Sequence, residues 1–157
     1  MIKSSNKRIS KVKFQNFKSE ISPNLISNRE DDLLMNQITS NYNLLIHPLI
    51  TTCGITLNKI HFLEIGCGDG KYGLNISKYV KHYSGVDIRT ESLEKAKETL
   101  KDQSNCNLYK NDGETLRQFE DNSQHLIFSY QTFFYLPSIK NIKSYLEEIF
   151  RVLNDKG

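Results

Sequence analysis

Between His61 and Gly73 the chain reads HFLEIGCGDGKYG, with glycine at 66, 68, 70 and 73. This stretch constrains the fold more than any other. An apolar run enters it and a helical pattern leaves it, so it is a strand-to-helix turn whose backbone must lie close to something. Glycine has no Cβ and adopts positive φ at little cost, so such a turn can approach a ligand where a side chain would clash.

The segments that follow repeat the alternation. HFLEI is a short apolar strand, and KYGLNISKYV places Leu74, Tyr79 and Val80 on a helix. YSGVDI is a second strand. TESLEKAKETLKD then opens at Thr90, read as an N-cap, and puts Leu93, Ala96 and Leu100 on one face. NLYKND is a third strand, GETLRQFED a short helical or turn segment, and HLIFSY a fourth strand. SIKNIKSYLEEIFRVL sets Ile142, Tyr145, Leu146, Ile149 and Leu153 on a helical stripe that halts near Asn154 to Gly157. Strands alternating with helices predict an α/β fold, a doubly wound and mainly parallel sheet. In such sheets ligands bind at the carboxyl ends of the strands, where every candidate residue falls.

Upstream, residues 1–57 read as a basic arm and helical cover, and 58–157 as the α/β core. Residues 1–20 carry six Lys/Arg against Glu20 alone, and Leu34, Ile38, Tyr42 and Leu45 recur at helical spacing from Asp31 to about Ile46, before Pro48. The arm is read as a solvated terminus, with an electrostatic contact to nucleic acid, membrane or an acidic substrate as the alternative. Net charge is +3 overall, so the core is slightly acidic and is not a nucleic-acid platform. No apolar run reaches membrane-spanning length and no secretory signal opens the chain, so a cytoplasmic protein is expected. The three cysteines, Cys53, Cys67 and Cys106, have neither metal-type spacing nor an even count, so no metal is expected. Cys67, inside the loop, is read as a small turn residue rather than a nucleophile, because no His or Asn partner can be assigned to it.

Two ligands compete for the loop. Gly68-x-Gly70-x-x-Gly73, with Asp87 downstream for a ribose, matches the dinucleotide fingerprint and admits an NAD-dependent oxidoreductase. Glu64-x-Gly66-x-Gly68-x-Gly70 ending the first strand, Asp87 closing the second, Asp112 closing the third and YLEEIFRVLNDKG further on together resemble the class I S-adenosylmethionine-dependent methyltransferases. Four matches in order are more specific than one loop, and this resemblance is favoured.

The resemblance implies a Rossmann-like methyltransferase fold and assigns the site residue by residue. Glu64 would work near the aminoacyl end of S-adenosylmethionine, beside a loop of Gly66, Cys67, Gly68, Asp69 and Gly70 in which Asp69 meets the ammonium. Asp87 would accept from both ribose hydroxyls, which suits a two-oxygen acceptor. Ile88 would pack on the adenine face, Asp112 would take the adenine amino group, and the Gly113 amide would lie near the ring nitrogen. Ser129 and Tyr130 hold the place where family members offer a main-chain carbonyl to the ammonium. Tyr130, Phe133, Phe134 and Tyr135 are candidates for an acceptor pocket or for core packing, and a small-molecule acceptor is expected. No Asn/Asp-Pro-Pro-Tyr stretch follows the fourth strand, which disfavours a DNA adenine methylase, and no catalytic residue is assigned.

Two departures stand out. Gln124-His125 replaces the Phe-Asp of many relatives, and His125 is read as a strand-edge residue rather than a base. The family fold also continues into three further strands and at least one helix, so the resemblance implies a core lacking its last strands. The apolar fourth strand would then need a cover: the arm, a second copy of the chain, or a second chain carrying the remainder. A catalytically silent cofactor-binding or scaffold module is the corresponding alternative.

Overall fold

The computed structural model describes residues 56–155, together with Thr52. The chain divides into two units, residues 1–40 and 41–157, and the described core belongs to the second. The expected arm, the Asp31 to Ile46 helix and Cys53 lie outside the described residues.

The core is a four-stranded parallel sheet. Strand β1 (His61–Ile65) leads through the glycine loop to helix α1 (Lys71–Ile76), then to β2 (His82–Asp87), α2 (Thr90–Thr99) and β3 (Cys106–Lys110). The chain returns to β4 (Leu126–Ser129), makes a 3-10 turn at Thr132–Tyr135 and ends in α3 (Ile139–Val152). The strand order is β3-β2-β1-β4. The chain thus runs outward from β1 through β2 to β3, then crosses back to the other side of β1. That reversal is a topological switch point, and it opens a crevice beyond the carboxyl ends of β1 and β4.

Burial on the two faces explains the strand sequences. Leu63, Ile65 and Val86 join Leu116, Phe119, Tyr145 and Val152 in one core cluster. The alternate residues Phe62, Glu64, Tyr83 and Gly85 pair across β1 and β2 as Phe62 with Tyr83 and Glu64 with Gly85. Both faces of a parallel sheet are covered, so β1 reads as a nearly continuous apolar run and the small residues Ser84 and Gly85 of β2 are buried beside Tyr83 and Val86. Glu64 is the exception within β1.

Several local expectations shift. Thr90 is not the N-cap of α2: Arg89 holds that position with extended backbone, its amide taken by Asp87 Oδ1 at 2.8 Å, and the Thr90 hydroxyl instead meets Lys110 Nζ at 3.0 Å. Helix α1 stops at Ile76, where the next turn tightens and the Tyr79 amide donates to the Ile76 carbonyl. Strand β3 ends at Lys110, which leaves Asn111 and Asp112 in the loop.

The GETLRQFED segment forms turns rather than a helix, yet Leu116 and Phe119 are buried. Polar ties from α3 hold it: Glu148 accepts from the Leu116 amide at 2.7 Å, and Arg151 donates to the carbonyls of Leu116 and Phe119. Helix α3 is capped by Ser138, which accepts from the Asn141 amide. It carries two apolar stripes. Tyr145 and Val152 are buried with Ile142 and Ile149 half-covered, whereas Ile139, Leu146 and Phe150 face solvent. Leu146 therefore leaves the buried stripe predicted for it.

Among the described residues β4 pairs with β1 alone. No described helix is long and apolar enough to cross a membrane.

Candidate functional site

The loop after β1 is built by its own hydrogen bonds. The amides of Gly66 and Cys67 both donate to the Val86 carbonyl, at 2.8 and 3.0 Å, which folds the chain back over the end of β2. Gly66, Gly68 and Gly70 have φ of 79°, 54° and 80°, the left-handed region that only glycine enters freely.

Their surroundings differ. A Cβ on Gly66 would lie 2.0 Å from Thr132 Oγ1, and one on Gly70 would lie 3.1 Å from Ala96 Cβ. Those two glycines admit neighbours from the 3-10 turn and from α2. A Cβ on Gly68 would meet nothing within 4 Å. Gly68 is the point where bare backbone faces open space.

Asp87 is nearly buried at the tip of β2 and faces this point. Its Oδ2 accepts from the Gly68 amide at 2.9 Å and its Oδ1 from the Arg89 amide at 2.8 Å. A carboxylate presents about four acceptor directions. Among the described residues two remain, one on each oxygen, with Arg89 Nε 3.9 Å from Oδ1 and too far to fill one, which is the pattern two vicinal hydroxyls require.

Glu64 is buried beneath the loop, and Tyr83 Oη donates to its Oε2 at 2.6 Å. Burial pushes its acidity to about pH 8; the phenol's hydrogen bond works the other way, and the carboxyls of Asp69 and Asp87 add to the rise. Tyr83 occupies a notch cut by two glycines. A Cβ on Gly73 would lie 2.5 Å from Tyr83 Cζ, and one on Gly85 would lie 2.9 Å from Tyr83 Oη. Gly73, the third glycine of the dinucleotide fingerprint, is thus bare to admit a tyrosine. The carboxyl groups of Asp69 and Asp87 at the loop also oppose a pyrophosphate and favour a cation.

The remaining candidates separate into two groups. Ile88, 57% exposed, lies beside Gly113, where a Cβ would sit 3.5 Å from the Ile88 Cγ2 methyl, so the two form an apolar slab next to Asp87. Asp69 is half-exposed at the loop tip, 3.5 Å from Lys71 Nζ. Ser129 and Thr132 both donate to the Ile65 carbonyl, at 3.1 and 2.9 Å, which brings the end of β4 against the loop. The Tyr130 ring packs on Tyr72 at 5.7 Å between centroids.

Asp112, by contrast, is committed to its own turn. Oδ1 accepts from the Glu114 and Thr115 amides, and Oδ2 from the Thr115 hydroxyl and Arg117. Burial opposes its ionisation, but these four donors outweigh it and hold the carboxyl at about 2. All its acceptor directions are filled. The Gly113 amide is likewise taken, by Asn111 Oδ1 at 2.7 Å. An adenine amino group can reach Asp112 only by displacing Arg117, an exposed and therefore weak partner.

Cys67 is buried, and burial, with Glu64 and Asp87 adding, pushes its thiol far above the ordinary range. Burial in the turn and a protonated thiol suit a packing residue. Phe133 joins the core, edge-on to Tyr145, while Phe134 and Tyr135 face solvent beside the loop. Among the described residues no cluster of His, Cys, Asp and Glu is arranged to hold a metal ion.

Sequence comparison identifies the fold's lineage. Residues 62–157 match the model of the family described as Methyltransferase domain. This chain belongs to that family. Over 103 residues the domain is 35% identical to the demethylmenaquinone methyltransferase of Leptospira interrogans, an alignment covering 62% of this chain and 40% of that protein. The chain thus spans less than half the length of the curated relative it matches. Among solved structures, an S-adenosylmethionine-dependent methyltransferase from Methanosarcina mazei superposes with a TM-score of 0.57 at 25% identity, covering 69% of this chain and 53% of that one. One from Aquifex aeolicus gives 0.60 at 22% identity, covering 82% and 69%, a likeness of fold.

The Methanosarcina and Aquifex structures are named as S-adenosylmethionine-dependent, and the residues of this crevice fit that molecule. A sulfonium and an ammonium suit the carboxyl-ringed loop, a ribose suits the two unfilled directions on Asp87, and a flat ring suits the Ile88–Gly113 slab. The missed contributors are Tyr83 and Thr132. Tyr83 is visible only once strand register places Gly85 beside Glu64, and Thr132 only once the end of β4 is seen to abut Gly66.

Proposed function

We propose that this domain binds S-adenosylmethionine in the crevice beyond β1 and β4 and transfers its methyl group to a small-molecule acceptor. The observation that carries the reading is the Asp87 carboxylate held on the amide of Gly68, the loop position whose missing side chain opens onto free space.

Each residue then has a task. Asp87 holds the two ribose hydroxyls and, through the Gly68 amide, fixes the loop to the same sugar. Glu64 and Asp69 face the aminoacyl end, with the main chain at Ser129 and Tyr130 completing that side. Gly66, Cys67 and Gly70 shape the turn. Ile88 and Gly113 bracket the adenine, and Asp112 reaches its amino group once Arg117 gives way. The cofactor supplies an electrophilic methyl on a sulfonium. The chain's part is to orient donor and acceptor for in-line displacement, a contribution that needs no dedicated base unless the acceptor must lose a proton.

A small acceptor is supported by the exposed rings of Phe134 and Tyr135 beside the loop and by the quinone precursor in the Leptospira relative's name. The core runs from 58 to 157 in this reading, with the arm outside it. The test is incubation of the full chain with methyl-labelled S-adenosylmethionine and a demethylated quinone, or a fractionated small-molecule extract. Label in the low-mass fraction is expected. Label in protein or nucleic acid, or binding with no transfer, would contradict the acceptor class or the activity.

A further inference from the structure

We propose that Tyr83 is a positioning residue for the cofactor site: its phenol holds the Glu64 carboxyl under the glycine loop and keeps that acid ready to ionise against a cationic ligand. The inference rests on the function proposed above but names a residue outside the motif.

The structure spends three positions on this contact. Tyr83 is fully buried, and its phenol lies by Gly85, two residues on along β2. Gly85 on the same strand and Gly73 on α1 both lack the side chain that would collide with it, at 2.9 and 2.5 Å. Gly73 is bare for this ring alone, while Gly85 also admits Leu108 Cδ2 at 2.9 Å and Cys67 Cβ at 3.0 Å. A buried tyrosine hydroxyl needs an acceptor, and any backbone carbonyl would serve. This one goes to Glu64 Oε2, and among the described residues Glu64 Oε1 has no hydrogen-bond partner. One oxygen is anchored and the other is left for a ligand.

The electrostatics give the anchor a consequence beyond packing. The groups facing Glu64 are Tyr83 on β2, Asp69 and Cys67 in the loop and Asp87 at the β2 tip. All are neutral or acidic. Burial and the two acids favour the protonated form, and the phenol is the group that favours the ionised one. An arriving ammonium supplies the missing positive charge. Glu64 then releases its proton to solvent, the phenol keeps its own, and a carboxylate hydrogen-bonded by Tyr83 faces the cation. A phenylalanine at 83 would fill the same notch but could not donate.

The test uses the full chain, wild type and Tyr83→Phe, with two readouts. In the ligand-free protein, carboxyl carbon NMR follows the titration of Glu64. Calorimetry with S-adenosylhomocysteine between pH 6.5 and 9, in buffers of different ionisation enthalpy, follows affinity and protons released. The expected result is a Glu64 midpoint displaced upward in Tyr83→Phe. Affinity at pH 7 should be about tenfold weaker, recovering as pH rises. Glu64→Gln, which keeps an acceptor for the phenol, should abolish proton release. Superimposable Glu64 titrations in wild type and Tyr83→Phe would overturn the proposal, as would undiminished proton release in Glu64→Gln should Tyr83→Phe fail to fold. If wild type binds no S-adenosylhomocysteine at any pH, the proposed function fails instead, and the ligand-free titration still decides the role of Tyr83.

Discussion

The amide of Gly68 and the carboxylate of Asp87, nineteen residues apart in the chain, meet at 2.9 Å beyond the ends of two neighbouring strands. One bond ties the loop that follows β1 to the acid that closes β2. Whatever binds the acid is therefore in register with the loop.

The glycines of the loop should respond differently to alanine. Gly66→Ala places a Cβ 2.0 Å from Thr132 Oγ1 at a φ of 79°, and should cost about 2–3 kcal/mol of stability in denaturant titration. Gly68→Ala meets no neighbour and should cost about 1 kcal/mol, from backbone strain alone. Its Cβ enters the ligand's space, so S-adenosylhomocysteine affinity should fall by more than stability does.

Glu64 ties stability to pH with a definite sign. Its acidity is raised from 4.5 to about 8 in the fold, so its contribution is complete below pH 4.5 and is lost as pH rises through about 8. Glu64→Gln should remove that loss and stabilise the ligand-free protein by about 2 kcal/mol at pH 8. The same change should abolish tight cofactor binding. Thermal unfolding at pH 5 and pH 8 checks the first outcome, calorimetry the second.

A histidine rung at the opposite end of the sheet works in the other direction. His61 lies between His82 and His125, with ring centroids 5.8 and 5.4 Å away, and its amide donates to His125 Nδ1. Burial and then Lys81 lower the basicity of His61 and His82, with His125 and His82 adding to the effect on His61. Their contribution is full above the ordinary value of 6.5 and is lost as pH falls below it. His82→Asn should flatten stability between pH 6.5 and 5, as followed by thermal unfolding.

At the adenine end, Arg117→Ala should leave S-adenosylhomocysteine affinity unchanged or improve it, because it frees one acceptor direction on Asp112. Asp112→Ala should weaken affinity and also destabilise the turn, which loses bonds from two amides and a hydroxyl, by about 1–2 kcal/mol. Paired calorimetry and unfolding of both variants separates the two effects.

Much of the architecture was legible because its signals are local. The apolar runs at 61 and 126, the Leu93, Ala96, Leu100 face and the α3 period all follow from strand and helix spacing. What was not legible depends on partners distant in sequence. Two apolar stripes on α3 have the same period, and only packing shows that Tyr145 faces the core while Leu146 faces solvent. Leu116 and Phe119 are buried without a helix, because Glu148 and Arg151 satisfy the turn's backbone from another element. Gly73 was drawn as part of a ligand motif, and strand register was needed to show that Tyr83 fills its place. At the site, the structure brings Asp87 and the loop together as their spacing suggested, but spacing could not reveal that the Asp112 carboxylate is already engaged.

The central claim is that a carboxyl-ringed loop and the unfilled acceptor directions of Asp87 receive an adenosyl cation rather than a dinucleotide. Isothermal titration of the full chain with S-adenosylhomocysteine and with NAD, in wild type and Asp87→Ala, tests it most directly. The account predicts binding of S-adenosylhomocysteine on the order of micromolar, weakened by about 1.5–3 kcal/mol in Asp87→Ala, and no binding of NAD. Undiminished affinity in the variant, or NAD binding that Asp87→Ala weakens, would contradict it.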